Sequence, residues 1–188
     1  MRTVIGLDPS LSGTGLVVLS DTGVLIEKAT IGSEACGRTV AERMRRFAKL
    51  LRPVMSEVNL HRPAAVCIEG YSLGSNMPGM VDRVEYGGLL RWSLVAAHVK
   101  VYEVPPNSLK KWATGKGAGD KTPVIAHITQ RYGVMLDNDN VYDAYALARI
   151  AMQIMQMEPP ANQSQAEVVH VTVNGSEKKP RKSRKDKR

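Results

Sequence analysis

The sequence predicts an α/β fold in which a mixed five-stranded sheet is flanked by helices. Short apolar runs rich in β-branched residues alternate with segments whose apolar residues recur at helical spacing. Three strand-like runs come first, and a helical segment precedes each of the two later ones. This order of elements indicates a mixed sheet.

The five predicted strands cover residues 3–7, 16–19, 24–29, 65–68 and 101–104. A short turn ending in Gly23 joins the second strand to the third. Because glycine adopts positive φ without steric cost, we expect an antiparallel hairpin there.

Helices are predicted over residues 39–59, 80–98, 122–132 and 140–157. The first is amphipathic, and Pro53 is expected to disturb it. The helix 80–98 carries more apolar surface than one core-facing side needs, which indicates either a dimer interface or a more deeply buried helix. The residues concerned are Val84, Leu89, Leu90, Trp92, Leu94 and Val95.

The length of 188 residues, 43% of them hydrophobic, is enough for one sizeable core. We expect one globular domain over residues 1–158, followed by a linker and a basic, disordered tail over 159–188. Within that part, 161–166 has linker composition, and 168–173 reads as a short strand or an extended arm.

The net charge of +8 is concentrated at one end of the chain. Residues 178–188 contribute +7 and the preceding residues only +1. The basic run is therefore either a solubilising tail or a nonspecific phosphate-binding arm. No apolar stretch reaches the length of a membrane span and no signal-peptide pattern is present, so we expect a cytoplasmic protein. The two cysteines, Cys36 and Cys67, suggest neither a disulfide framework nor a metal cluster.

Acidic residues stand at the boundaries of three predicted elements. Asp8 ends the first strand and Glu69 ends the fourth, while Asp139 and Asp143 fall at the start of the last helix. If the first and fourth strands are neighbours, these carboxylates meet at one edge of the sheet. Such a cluster repels itself unless a divalent cation lies among the carboxylates, and oxygen ligands select Mg²⁺ or Mn²⁺. Two ions about 3.5–4 Å apart would suit phosphodiester hydrolysis.

Each of these acids also has a purely structural interpretation. Asp8 would cap a turn, Glu69 would be an ordinary strand-end residue, and Asp139 would stabilise a helix N-terminus. The joint pattern favours the metal site over the three separate explanations.

Four segments resemble the RuvC family of Holliday junction resolvases, which have the RNase H-like fold. Residues 5–15, 66–69 and 143–148 are similar to the family's three acidic motifs, and residues 109–121 are similar to its Lys-rich segment. The four occur in the family's order and cover residues 3 to about 150.

This resemblance implies a homodimeric DNA endonuclease that cuts two opposed strands of a four-way junction symmetrically. It implies two Mg²⁺ ions, replaceable by Mn²⁺, held by Asp8, Glu69 and Asp143. Lys121 would assist catalysis. The implied DNA-binding residues are Lys110, Lys111, Lys116, Lys121 and Tyr71.

Two positions depart from the family pattern. The family usually has an acid three residues before its final Asp, where this chain has Asn140, so that either Asp139 or Asn140 completes the metal site. The family's large aromatic residue after the strand-four Glu would fall at Ser72, and Tyr71 lies one residue earlier. Tyr71 therefore either stacks on bases or packs within the protein.

Other functions fit the sequence less well. An actin-like phosphotransferase needs two lobes, and this chain is long enough for one. A phosphate-binding P-loop needs Gly immediately before its Lys, where Asp120 stands before Lys121. A non-catalytic module that binds branched DNA, and an RNase H-like nuclease acting on other branched DNA or on RNA/DNA hybrids, remain alternatives.

Overall fold

A computed structural model describes residues 1–35, 37, 39–71, 79–115 and 122–175, without the side chains of residues 122 and 123. The strands are β1 (Thr3–Asp8), β2 (Thr14–Ser20), β3 (Leu25–Ile31), β4 (Ala65–Glu69) and β5 (Val101–Val104). The helices are α1 (Val40–His61), α2 (Met80–Ala96), α3 (Pro106–Thr114), α4 (Thr122–Tyr132), α5 (Asp139–Ile154) and α6 (Gln163–Asn174).

The five strands form one mixed sheet in the order β3-β2-β1-β4-β5. The pairs β1–β2 and β2–β3 are antiparallel, whereas β1–β4 and β4–β5 are parallel. Gly23 has a φ of 80° in the turn between β2 and β3. The predicted mixed five-stranded sheet and its hairpin are confirmed.

Helices cover both faces of the sheet. Apolar residues of α1 and α2 form one hydrophobic core with the first face, and those of α3, α4, α5 and α6 form another core with the second. The helix α5 is almost wholly buried and packs on β1 and β2. Gly6 and Gly15 permit this packing, because a Cβ at either position would collide with the α5 backbone carbonyl of Ala144 or Asn140.

The helix α1 runs without interruption through Pro53, although we expected a disturbance there. Proline removes one backbone hydrogen bond, but the neighbouring Leu50 and Val54 are fully buried in the core beneath the helix. Burial of these residues holds the helix together across the missing bond. At its start, Thr39 and Glu42 form a reciprocal capping box.

The helix α6 corrects the sequence interpretation of its region. Residues 161–166 were expected to be a linker and residues 168–173 a strand or extended arm, but residues 163–174 are helical. Asn162 caps the helix, and the buried Gln165 and Val168 pack it against the domain. Burial of this face outweighs the strand preference of the valines. We propose that the folded unit extends through α6. The basic run 178–188 lies outside the described residues.

A buried chain of side-chain amides attaches α6 to the rest of the fold. The indole Nε1 of Trp112 donates to Gln153 Oε1 at 2.9 Å, and Gln153 Nε2 donates to Gln165 Oε1 at 2.9 Å. The same Gln165 oxygen accepts from the backbone N–H of Ala161. These bonds join α3, α5 and α6 through groups that water does not reach.

None of the described helices is long and apolar enough to span a bilayer. Cys67 is a buried free thiol in β4, and burial raises its pKa, as expected for an unreactive core residue. Cys36 lies outside the described residues.

The Gln165→Ala substitution tests whether α6 belongs to the folded unit. It should lower the free energy of unfolding by about 1–3 kcal/mol, because Gln153 and the Ala161 N–H lose their buried partner. The control is Gln163→Ala on the same helix. Gln163 is exposed and bonds only Glu167, so its loss should change stability by less than about 0.5 kcal/mol. Equal urea midpoints for the two variants would show that α6 does not contribute to the folded unit.

Candidate active site

Asp8 and Glu69 lie side by side at one edge of the sheet. The parallel register pairs Leu7 with Ile68, so the next residue of each strand is one of the two acids. Asp8 is 6% exposed and Glu69 is partly exposed. The two predicted strand-end acids are therefore brought together.

The start of α5 lies over the same edge. Asp8 pairs with Gly15 of β2, and Gly15 faces the backbone of Asn140 and Val141. Asp143, one turn further along α5, is 7% exposed. The third acidic position thus lies on the part of α5 that is seated directly on β1 and β2.

Two adjoining pockets open at this edge. A pocket of about 490 Å³ is lined by Asp8 and Asn140, and a smaller one of about 140 Å³ by Glu69 and Tyr71. Both are also lined by Pro9 and by Arg83 of α2. The two acidic strand ends therefore border neighbouring pockets that share two lining residues.

The side chains of Asp139 and Asn140 have different surroundings. The Nδ2 of Asn140 donates to the Gly13 carbonyl at 2.6 Å, which anchors the amide at the pocket beside Asp8. Neither Asp139 nor Asp143 lines these pockets, but Asp143 is nearly buried whereas Asp139 is exposed in the first turn of α5. The placement of Asp139 fits a helix N-terminal acid. Asn140, whose Oδ1 can still accept or ligate, is the better placed companion of Asp8.

The turn after Asp8 is held by a small hydroxyl network. Thr14 Oγ1 donates to the Ser10 carbonyl at 2.7 Å and accepts from the Ser10 N–H at 3.0 Å. The same hydroxyl lies 3.1 Å from the hydroxyl of Tyr86 on α2. Burial raises the pKa of Tyr86, while the contact with Thr14 opposes that shift. Tyr86 therefore stays a neutral hydroxyl that ties the turn to α2.

Arg91 of α2 organises the end of β4. Its Nη2 donates to the backbone carbonyl of Glu69 at 2.8 Å, and its Nε donates to Glu103 Oε2 at 2.7 Å. Its Nη1 donates to the Gly87 carbonyl at 3.0 Å. Sequence reasoning missed Arg91 as well as Arg83, because an Arg within a helix carries no local signal of what it faces.

Tyr71 packs on α2 next to this arginine. The guanidinium of Arg91 lies 4.2 Å from the centre of the Tyr71 ring, and the Tyr71 hydroxyl donates to the Val84 carbonyl at 3.3 Å. A Cβ at Gly87 would crowd the same ring. These contacts support the packing interpretation of Tyr71, although its ring borders the pocket of Glu69.

The predicted DNA-binding lysines do not gather at this edge within the described residues. Lys111 forms an ion pair with Glu167 of α6 and lines a different pocket with that helix. Lys110 is partly buried on α3 and lines neither site pocket. Lys116 and Lys121 lie outside the described residues.

The donor set suits a hard divalent cation. It consists of the carboxylates of Asp8 and Glu69 and the amide oxygen of Asn140, which line the two pockets, together with the nearly buried carboxylate of Asp143. Met80, whose thioether is a soft ligand, also lines the smaller pocket. In the described part of the chain, no three acidic, His or Cys side chains stand close enough together to hold a metal ion. The oxygen donors of these residues fit the chemistry of Mg²⁺.

Known proteins share this architecture and sequence pattern. RuvC of Zymomonas mobilis, a crossover junction endodeoxyribonuclease, is 29% identical over 145 residues, which covers 77% of this chain and 86% of the relative. RuvC of Caldicellulosiruptor saccharolyticus is 26% identical over 148 residues, covering 77% and 89%. The structure of Thermus thermophilus RuvC in complex with a Holliday junction substrate superposes with a TM-score of 0.64 at 21% identity, covering 79% of this chain and 91% of that one.

The family model of the crossover junction endodeoxyribonuclease RuvC matches residues 4–155, from the second residue of β1 to just beyond α5. The match includes both acidic strand ends and the start of α5. Because the match covers the mixed sheet and the site at its edge, this chain belongs to the RuvC family.

Proposed function

We propose that this protein is a Holliday junction resolvase that hydrolyses phosphodiester bonds in two opposed strands of a four-way DNA junction, in DNA recombination and repair. The observation that carries the proposal is the convergence of Asp8, Glu69 and the start of α5 at one edge of the sheet, in a chain of the RuvC family. It works in the cytoplasm, where bacterial or phage DNA lies.

The family's nucleases are metal-dependent, and for this chain we assign Mg²⁺, with Mn²⁺ as a substitute. Asp8, Glu69, Asp143 and Asn140 would hold two ions, which activate a water and stabilise the leaving oxygen when bound. Asp8 and Asp143 are nearly buried, and the strand and helix that carry them hold their backbone in place. Asn140 supplies a neutral oxygen in place of a carboxylate.

The helix α2 offers a surface for a second copy of the chain. Of its apolar residues, Leu90 and Leu94 are buried in the core, whereas Trp92 is 70% and Val95 is 61% exposed. The exposed residues Val81, Val84, Gly88, Trp92 and Val95 recur three or four residues apart along one side of the helix. Part of the apolar surface predicted for this helix is therefore buried in the core. The five exposed residues form an apolar stripe on the outer side of the helix. We assign this stripe to the homodimer that presents two sites to opposed strands.

Asp8→Asn and Asp143→Asn should each abolish cutting of a four-way junction while junction binding in EDTA persists. Even groups that only orient metal ligands are worth about 10–100-fold, so a loss of more than about a hundredfold is expected in single-turnover cleavage. Retained cleavage by both variants would contradict the assignment of this edge as the active site.

Asn140 and Asp139 can be separated by substitution. Asn140→Ala should lower the cleavage rate at least about tenfold and raise the Mg²⁺ concentration needed for half-maximal rate, since a pocket oxygen is lost. Asp139→Asn should change neither value by more than about threefold, because Asp139 is exposed outside the pocket. The reverse pattern in a Mg²⁺ titration would make Asp139 the ligand.

Trp92→Glu should convert the dimer to monomer at micromolar concentration, because a charge in an apolar interface remains desolvated without a partner. Sedimentation velocity measures the change, and the junction should then receive single, uncoordinated nicks. The matched control is Leu60→Glu, which alters an exposed leucine on α1, 71% accessible and on another helix than the stripe. A Trp92→Glu protein that stays dimeric would place the interface elsewhere.

A further inference from the structure

One face of α1 carries three exposed cations in a row. Arg45, Lys49 and Arg52 are separated by four and three residues, so they share one side of the helix over about 10 Å. In the described part of the chain, none of the three forms an ion pair or a side-chain hydrogen bond.

Other cations of the protein are neutralised within the fold. Lys28 pairs with Asp137 at 2.7 Å, Arg91 pairs with Glu103 at 2.7 Å, and Lys111 pairs with Glu167. The row on α1, by contrast, places three cations that form no ion pair with a described residue on one face of a single helix.

The position of the row relative to the active site is set by the topology. The strands β1, β3 and β4 all run toward the edge that carries Asp8 and Glu69, and α1 begins just after β3 ends there. The first two turns of α1 accordingly lie beside the site. Arg52 continues the row away from it.

A further pocket lies beside the row and shares the lining residue Arg46 with the pocket of Asp8. It measures about 500 Å³ and is lined by Arg45, Arg46 and Lys49, together with the backbone after β3. Arg46 also lines the pocket of Asp8. It is held rigidly there, because its Nε donates to Ser33 Oγ at 2.8 Å and its Nη2 to the Leu11 carbonyl at 3.3 Å.

Two carboxylates, Glu34 and Glu42, border the same pocket. Glu42 is engaged in the cap of α1, where its Oε2 accepts from the backbone N–H of Thr39 at 3.0 Å. The hydrogen bonds from Thr39 lower the pKa of Glu42, which keeps it ionised. Three basic groups line the pocket against these two acids, and Arg52 adds a further positive charge beyond it.

We propose that Arg45, Lys49 and Arg52 form a track for the phosphodiester backbone of one duplex arm of the junction as that arm leaves the active site. The inference rests on the proposed function and adds a partner surface to it. The flexible side chains of the row can reach about two to three successive phosphates of one strand, each of which carries one negative charge. Such contacts fix the position of an arm without reading its sequence, as a structure-specific nuclease requires.

The test is the salt dependence of junction binding by the triple variant Arg45→Gln/Lys49→Gln/Arg52→Gln. The control is Arg2→Gln/Arg62→Gln/Lys100→Gln, which removes the same charge from exposed residues before β1, β4 and β5, at the opposite edge of the sheet. Dissociation constants are measured in EDTA against a range of NaCl concentrations, with a labelled four-way junction as the probe.

The α1 variant should lower the slope of log affinity against log salt by about 2 to 3, because each lost phosphate contact accounts for about 0.9. At 0.1 M NaCl its Kd should rise at least tenfold, while the control keeps the wild-type slope. Cleavage at saturating protein should remain within about threefold of wild type, since the row does not touch the reacting site. Equal slopes for the two variants would overturn the proposal.

The wild type separates this proposal from the proposed function. If the wild-type protein binds and cuts the junction while both variants share its salt slope, only the track on α1 fails. If the wild type neither binds nor cuts the junction, the proposed function fails and the track fails with it.

Discussion

The site depends on direct contact between the backbone of α5 and two strands of the sheet. Gly6 and Gly15 carry no side chain, so the helix settles against β1 and β2 with its carbonyls where Cβ atoms would otherwise be. That contact fixes where the backbone of Asn140 and Asp143 lies over β1 and β2. It also makes α5 the most buried helix of the described fold.

Around this contact, α2 supports the acidic edge from the other side of the sheet. Arg91 ties the Glu69 carbonyl and Glu103 together, and Tyr86 holds the turn that follows Asp8. A residue can thus shape the site without touching substrate. The opposite side of α2 stays apolar and exposed, so that one helix serves both the site and the proposed dimer.

The sequence predicted the sheet, its hairpin and the meeting of Asp8 with Glu69, because strand composition and the acids at strand ends are local signals. It did not predict α6, whose valines have strand preference until Gln165 and Val168 are buried against α3 and α5. Nor could it choose between Asp139 and Asn140, since one residue along a helix turns a side chain by about 100° and only tertiary packing fixes which one enters a pocket. The roles of the individual site residues stay predictions.

The most direct test of the account is cleavage of a four-way DNA junction labelled on each strand, by the wild-type protein with Mg²⁺ and with EDTA, beside linear duplex and an RNA/DNA hybrid. We expect paired, symmetric nicks on the junction, none in EDTA and none in linear duplex. Binding without cutting under all conditions, or preferential cutting of the hybrid, would contradict it.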